Sequence, residues 1–283
     1  MVGVPLGIRS VVRNRADSPP ILLENRFFEK NPINQVEQVS LIERPALVEY
    51  LDVGPGPGRR LFTQKGFSTD DLFHVSGDEL WKHHMNETRL VTSTQISGFV
   101  DGQGSPDIAA TDTYLWITDG YEMQYTDGTS ALTPITTPDF KPMISLDVFN
   151  GYVMCVQNDS DRFYWIEPGD IVIDPLNFAT AERTPDRILQ VRTVGDTFWL
   201  LGEKTTEVWR ATGVADAPFM RIEGRLFDRG ISGGTAVRVK DSVIVVGDDG
   251  MVYDITGGPK PISDPSIAER TRNAIRNYEE QGI

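Results

Sequence analysis

A unit of short apolar strands joined by tight turns recurs along this chain, with 38, 46 and 45 residues between the turns at Asp112, Asn150, Asp196 and Asp241. Each unit reads strand, turn, apolar strand, turn, strand. In one, 144–148 is followed by Asn150-Gly151, then 152–156, a polar turn at 159–162, and Phe163-Tyr164-Trp165. The same order runs through 188–209, with Gly195-Asp196 and Gly202-Glu203-Lys204 as turns, through 236–253, with Lys240-Asp241 and 247–250, and through 108–125, with Asp112 and Asp119-Gly120. A fifth unit, 72–82, shows one hairpin only, with Ser76-Gly77-Asp78-Glu79 as its turn. Gly, Asn and Asp tolerate the positive φ that hairpin turns require. Repeats of about 40–50 residues are the size of propeller blades. One such unit leaves both of its faces bare, whereas a ring of units covers them. Middle strands such as Phe198-Trp199-Leu200-Leu201 and Val243-Ile244-Val245-Val246 are apolar throughout, as expected of strands covered on both sides.

The expectation is an all-β fold, a β-propeller-like repeat of antiparallel hairpin blades over 46–262. Before it comes an extended N-terminal arm, 1–45, with short strands and Pro19-Pro20, Pro32 and Pro45. After it comes a C-terminal helix and tail, 263–283. Asp264-Pro265 suits an N-cap followed by proline in the first helical position. Ile267, Thr271, Ala274, Ile275 and Tyr278 then recur at helical spacing, and Ile267, Ile275 and Tyr278 are the candidate interface residues. Packing of this stripe on its own propeller is the alternative. A β-sandwich also satisfies the alternation, but the regular spacing favours a propeller.

Of the 283 residues, 39% are hydrophobic and 24% charged, a globular composition. No run approaches the ~18 apolar residues of a membrane helix, and no signal peptide or membrane insertion is expected. The single cysteine, Cys155, lies in an apolar run and reads as a small buried hydrophobe. The net charge of −14 is the opposite of what a protein that grips phosphates shows. It is compatible with an acidic wall past which DNA slides, and equally with an ordinary acidic surface.

The residues offer little for catalysis. His83 and His84 are adjacent, so in a strand they point to opposite faces and read as a surface pair, not a metal site. Gly54-Pro55-Gly56-Pro57-Gly58-Arg59-Arg60 lacks the Gly-Lys-Ser/Thr of a phosphate loop and reads as a rigid loop. Asp119, Asp159, Asp161, Asp248 and Asp249 fall in turns, where Asp serves the backbone. Gly230-Ile231-Ser232-Gly233-Gly234 has the nucleophile-elbow spacing, but a strand follows it and no histidine lies beyond His84. No catalytic residue, metal or cofactor is expected. Asn86 and Asn158 match the glycosylation pattern by coincidence.

From its middle onward the chain resembles the packaged-DNA stabilisation proteins, the tail hubs or nozzles of short-tailed bacteriophages. The resemblance rests on Asp174-Pro175-Leu176-Asn177-Phe178-Ala179-Thr180-Ala181-Glu182 with Pro185-Asp186, then 198–203 and Thr206-Glu207-Val208-Trp209. Pro218-Phe219, Arg221-Ile222, Gly224, Gly230 and Pro261-Ile262-Ser263 follow in order. Looser matches are Leu41-Ile42-Glu43-Arg44-Pro45-Ala46-Leu47 and Leu72-Phe73-His74-Val75 before Leu80-Trp81. It implies a propeller fold and a structural virion protein of the tail, made in the host cytoplasm. It further implies a self-assembled ring of six copies below the portal and adaptor that retains packaged DNA and conducts it during ejection. Implied partners are the adaptor, a needle or plug, a tailspike or fibre, and DNA passing without sequence-specific binding. The resemblance also implies strands beyond the helix. This chain stops at Ile283, so a reduced hub, or one completed by a second polypeptide, is expected. Two other readings are a non-viral propeller scaffold and, less favoured, a carbohydrate-processing propeller enzyme, for which no acid–base carboxylate pair is visible.

Overall fold

Strands β1 (Arg26–Lys30) and β2 (Val39–Glu43) form an antiparallel two-stranded sheet, with Phe27 opposite Ile42 and Phe28 opposite Leu41. Five four-stranded sheets follow, each with its strands side by side in chain order. Blade one is β3 (Gly58–Phe62), β4 (Leu72–Ser76), β5 (Glu79–Met85) and β6 (Val91–Ile96). Blade two is β7 (Asp107–Ala110), β8 (Leu115–Thr118), β9 (Met123–Thr126) and β10 (Thr133–Pro134). Blade three is β11 (Met143–Phe149), β12 (Tyr152–Gln157), β13 (Arg162–Ile166) and β14 (Phe178–Thr180). Blade four is β15 (Ile188–Val194), β16 (Thr197–Gly202), β17 (Thr206–Ala211) and β18 (Phe219–Phe227). Blade five is β19 (Val237–Val239), β20 (Ser242–Val246), β21 (Val252–Asp254) and β22 (Lys260–Pro261). Helix α1 spans Pro265–Glu280. This computed structural model describes residues 26–30, 39–43, 51–101, 104–137, 140–181, 186–215, 217–263 and 265–280. The fold is an all-β, five-bladed antiparallel propeller with one C-terminal helix.

The chain divides into two units, 53–248 with 253–260, and 1–52 with 249–252 and 261–283. In the first, apolar faces of neighbouring blades meet. Phe73, Val75 and Leu80 of blade one pack with Ile108, Leu115 and Ile117 of blade two. Trp116 and Met123 of blade two pack with Leu146, Val153 and Cys155 of blade three. Between blades three and four the filling is aromatic: Phe149, Phe163 and Trp165 against Phe198, Trp209 and Phe219. Phe163 and Trp209 meet edge to face at 5.2 Å, a favoured geometry for rings. All four residues of β8 and the last five of β16 are buried, because each strand has a blade on either side. Each large apolar side chain so buried stabilises the fold by roughly 1.5–3 kcal/mol.

The turns follow the chemistry of their residues. Asn150 and Gly151 sit at φ 51° and 85° between β11 and β12, the two positive values a two-residue hairpin turn of this hand requires. Three features differ from the sequence expectation. Every blade has a fourth, outer strand, and these escape a search for apolar runs because they are short or solvent-facing: β10 and β22 have two residues each, and of the nine residues of β18 one is buried, five are partly buried and three are exposed. Blade one is complete, because β3 begins inside the glycine–proline loop, at Gly58. His83 is buried, with Nδ1 hydrogen-bonded to Ser93 Oγ at 2.9 Å, while His84 is exposed and its Nδ1 pairs with Asp71 at 2.6 Å. They do point apart, but only His84 is a surface residue.

In the second unit, α1 starts at Pro265, and Asp264 lies outside the described residues. Ala268 is buried, and Gly250 packs against the same stretch of helix: a Cβ there would meet Arg272 Cγ at 2.4 Å.

Gly230 offers a steric test free of φ strain. A Cβ on it would stand 1.8 Å from Glu203 O and 2.4 Å from Lys204 N, backbone atoms that cannot rotate away. Gly230→Ala should cost at least about 2 kcal/mol in denaturant unfolding, as overpacking does. Gly257→Ala, with nothing within 4 Å, should change stability by less than about 0.5 kcal/mol. Equal effects of the two would refute the packing described for Gly230.

Candidate functional site at the propeller axis

The innermost strand of a blade pairs on one side only, so its other edge presents unpaired backbone groups toward the axis. Here side chains of one inner strand bond the backbone of the next. Gln64, just after β3, donates through Nε2 to Ala110 O at 2.8 Å. Asp107 Oδ2 on β7 accepts from Leu146 N at 3.0 Å. On β11, Ser145 Oγ accepts from Val191 N at 3.2 Å and Asp147 Oδ2 from Thr193 N at 2.7 Å. Gln190 Oε1 on β15 accepts from Ala236 N at 2.6 Å. The separations along the chain, 39 and 46 residues, are those of the repeat itself.

Arg192 on β15 closes the centre. Its guanidinium takes both oxygens of Asp107, NH1 to Oδ2 at 2.9 Å and NH2 to Oδ1 at 3.1 Å. It also donates to Ser145 Oγ and Leu146 O at 3.3 Å, to Val191 O at 2.7 Å and, through Nε, to Ala236 O at 3.0 Å. Arg60 on β3 reaches Asp107 Oδ1 at 2.9 Å, and Arg238 on β19 reaches Thr193 O at 3.4 Å. One polar cluster thus draws on the inner strands of all five blades. The side chains of Arg192 and Asp107 are only 8% and 7% exposed, so the pair is held where an unpartnered charge would be costly.

The environment splits the two aspartates. Burial by itself raises the pKa of Asp107, but the charge and hydrogen bonds of Arg192, with Arg60 and Ser145, outweigh it and hold the carboxyl below its usual range. Burial dominates at Asp147 and raises it, against opposition from Arg192 and the amides of Thr193 and Val148. Desolvation pulls Arg192 down, yet Asp107 and Asp147 together lift it above its ordinary value.

A cavity of about 480 Å³ lies where the inner strands begin, lined by residues of every blade, among them Arg60, Asp107, Asn158, Gln190 and Thr235. A second, of about 400 Å³, lies where the inner strands of blades two and three end, beside Thr111, Tyr114 and Gly151. Neither carries an evident catalytic set. Among the described residues no three of His, Cys, Asp or Glu gather as a metal site would require. Asp119 Oδ1 accepts from Tyr121 N and Glu122 N, and Asp249 Oδ1 from Met251 N, so these carboxylates shape their turns. Asp159 pairs with Arg187, and Asp248 with Arg229. Ser232 lies in a loop, its amide bonded to Val246 O at 2.8 Å. Cys155 is fully buried, which pushes its thiol well above the usual range. Of the sequence-derived interface candidates, Ile267 is 46% exposed, Ile275 is partly buried, and Tyr278 lies in α1 with its side chain outside the described residues. The axial cluster follows no local sequence motif. The signal that finds it is a polar residue at the same place in successive inner strands.

The Asp107–Arg192 pair can be tested by a double-mutant cycle. Asp107→Leu or Arg192→Met alone should cost about 3–5 kcal/mol, because each strands a buried group. The double Asp107→Leu, Arg192→Met should cost less than the sum by at least about 1 kcal/mol. Additive losses would contradict the pairing. The pH dependence has a definite sign. The folded pKa of Asp107 is depressed, so its contribution is complete above its unfolded pKa, about 3.9, and is lost as pH falls through the lower folded value. Asp107→Asn should therefore flatten the acid limb of a stability-against-pH curve.

Comparison with known proteins fixes the family. Solved structures similar to this one include Hsv2 of Kluyveromyces lactis, at 10% identity and a TM-score of 0.48, covering 81% of this chain and 77% of that one; and virginiamycin B lyase from Staphylococcus aureus, at 10% identity and a TM-score of 0.47, covering 79% and 71%. Likenesses this distant carry no functional argument. No curated protein matches the sequence. Residues 12–280 match the family described as Phage_stabilise, Bacteriophage P22 Gp10, β-propeller, and the chain belongs to that family.

Proposed function

We propose that this protein is a non-catalytic subunit of a phage tail hub, the channel below the portal and adaptor that retains packaged DNA and conducts it at ejection. The observation that carries the reading is membership of the phage stabilisation family across 12–280. The axis supports it, since its polar cluster spends its hydrogen bonds on joining blades. Arg192 fills the centre of the propeller, so a DNA passage has to run between copies and not along this axis. The proposed assembly is accordingly a ring of copies, six in number, with the lumen among them. Its partners are the adaptor, a needle or plug, and a tailspike or fibre. The charge of −14 fits a wall that repels phosphate and lets the duplex slide. Ile267, Ile275 and Tyr278 on α1 are proposed as contact residues of that assembly.

Particles assembled without this protein should fill with DNA and then lose it, read as nuclease-sensitive genomes and a falling share of full heads. Particles that keep their DNA and eject normally without it would remove the proposal.

A further inference from the structure

Two hydrogen-bond donors at the larger axial cavity are left over when the blades are joined. The first is the side-chain amide of Gln190 on β15, a residue only 4% exposed. Its Oε1 accepts from Ala236 N at 2.6 Å, and that bond fixes which way round the amide lies, because a backbone N–H needs an oxygen opposite it. Nε2 is therefore turned away from Ala236. It lies beside Gly234 on the cavity wall, where an added Cβ would stand 3.8 Å from it. Among the described residues Nε2 finds no acceptor. The second donor is Arg60 on the same wall. Its NH2 binds Asp107, while Nε and NH1 bond no described residue. Groups this far inside a protein are normally paired, so a donor held against a cavity marks a place for an acceptor.

Charge and shape narrow what that acceptor is. Asp107 is shared by Arg60 and Arg192, two cations against one carboxylate. Asp119, the other carboxylate on the wall, accepts from two amides of its own turn. Between these groups the wall is apolar, at Pro106, Ile144 and Leu189. The wall is also held in place from behind. Arg59 donates to Gly104 O at 2.7 Å and Val100 O at 2.9 Å, and Asn158 Nδ2 donates to Gly120 O at 3.1 Å. Ser232 N and Thr235 Oγ1 both bond Val246 O, which anchors Gly233 and Gly234 between them. One line of bonds, from Arg60 through Asp107, Arg192 and Ala236 to Gln190, joins the two donors through the axial cluster. Donors fixed in this way bind without first having to be ordered. The volume of about 480 Å³ is that of a small-molecule site.

We infer that this cavity receives a carboxylate carried on a short aliphatic body, its oxygens accepting from Gln190 Nε2 and Arg60. The apolar walls match the aliphatic part, which a bare phosphate lacks. Glu and Asp side chains of a partner protein have this chemistry, and so do free short-chain acids. The inference stands apart from the ring reading above.

The test follows the Gly234 backbone amide and the Gln190 side-chain amide by NMR in the full-length protein. Sodium butyrate should shift both saturably, in the millimolar range, and sodium chloride at equal ionic strength should not. Gln190→Glu keeps an oxygen for Ala236 N and replaces the donor with a second oxygen. It should weaken butyrate binding at least about tenfold, the worth of a charge-assisted hydrogen bond. Gly234→Val leaves both donors in place, fills the space over Nε2 from a position without positive φ, and should weaken binding as much. Tighter binding of N-acetylglutamate methylamide than of butyrate names a protein side chain as the source. The reverse order names a free acid, and either order supports the site. The inference is overturned if neither acid gives a saturable shift, or if chloride reproduces it. It is equally overturned if inorganic phosphate binds more tightly than butyrate, or if Gln190→Glu and Gly234→Val both bind butyrate as the unaltered protein does.

Discussion

A four-stranded blade has two apolar faces and an inner edge of unpaired backbone, and neither is tolerable in water alone. The faces are solved by stacking blades, the edges by side chains that reach one blade onward. Asp107, Ser145, Asp147 and Gln190 each accept a backbone N–H of the next inner strand. Arg192 gathers what remains, binding Asp107 with both arms and three backbone carbonyls besides. The hydrophobic cores between blades supply most of the stability. The axial network decides which blades stand next to which, and it does so at a place where a missing partner would leave a buried charge.

That division explains what the sequence disclosed. The middle strands were legible because they are apolar at every position, as in Phe198-Trp199-Leu200-Leu201, and the hairpin at Asn150-Gly151 because only such residues take its backbone angles. The outer strands were not, since a two-residue strand such as β10 has no period to detect. Strand β3 was hidden because Gly58, Arg59 and Arg60 look like the end of a loop. Arg60 is in fact an axial residue, bound to Asp107. The same masking applies to Arg192: a lone arginine in an apolar strand reads as an interruption until its partner, 85 residues earlier, is known. Long-range polar pairs leave no local trace, and only their recurrence at the repeat distance exposes them.

The chemistry of the molecule is that of a building element. Its turn aspartates hold turns, its cysteine is packed away, and its buried Asp107–Arg192 pair binds blades together. The family to which the chain belongs is one of phage β-propellers.

An electron-microscopy map of the intact particle at side-chain resolution tests the account most directly. The account predicts copies of this propeller in a ring around the tail axis, DNA or an open lumen among them, and Arg192 density closing the centre of each one. Density for DNA on a propeller's own axis, or a tail in which this chain forms no ring, would contradict it.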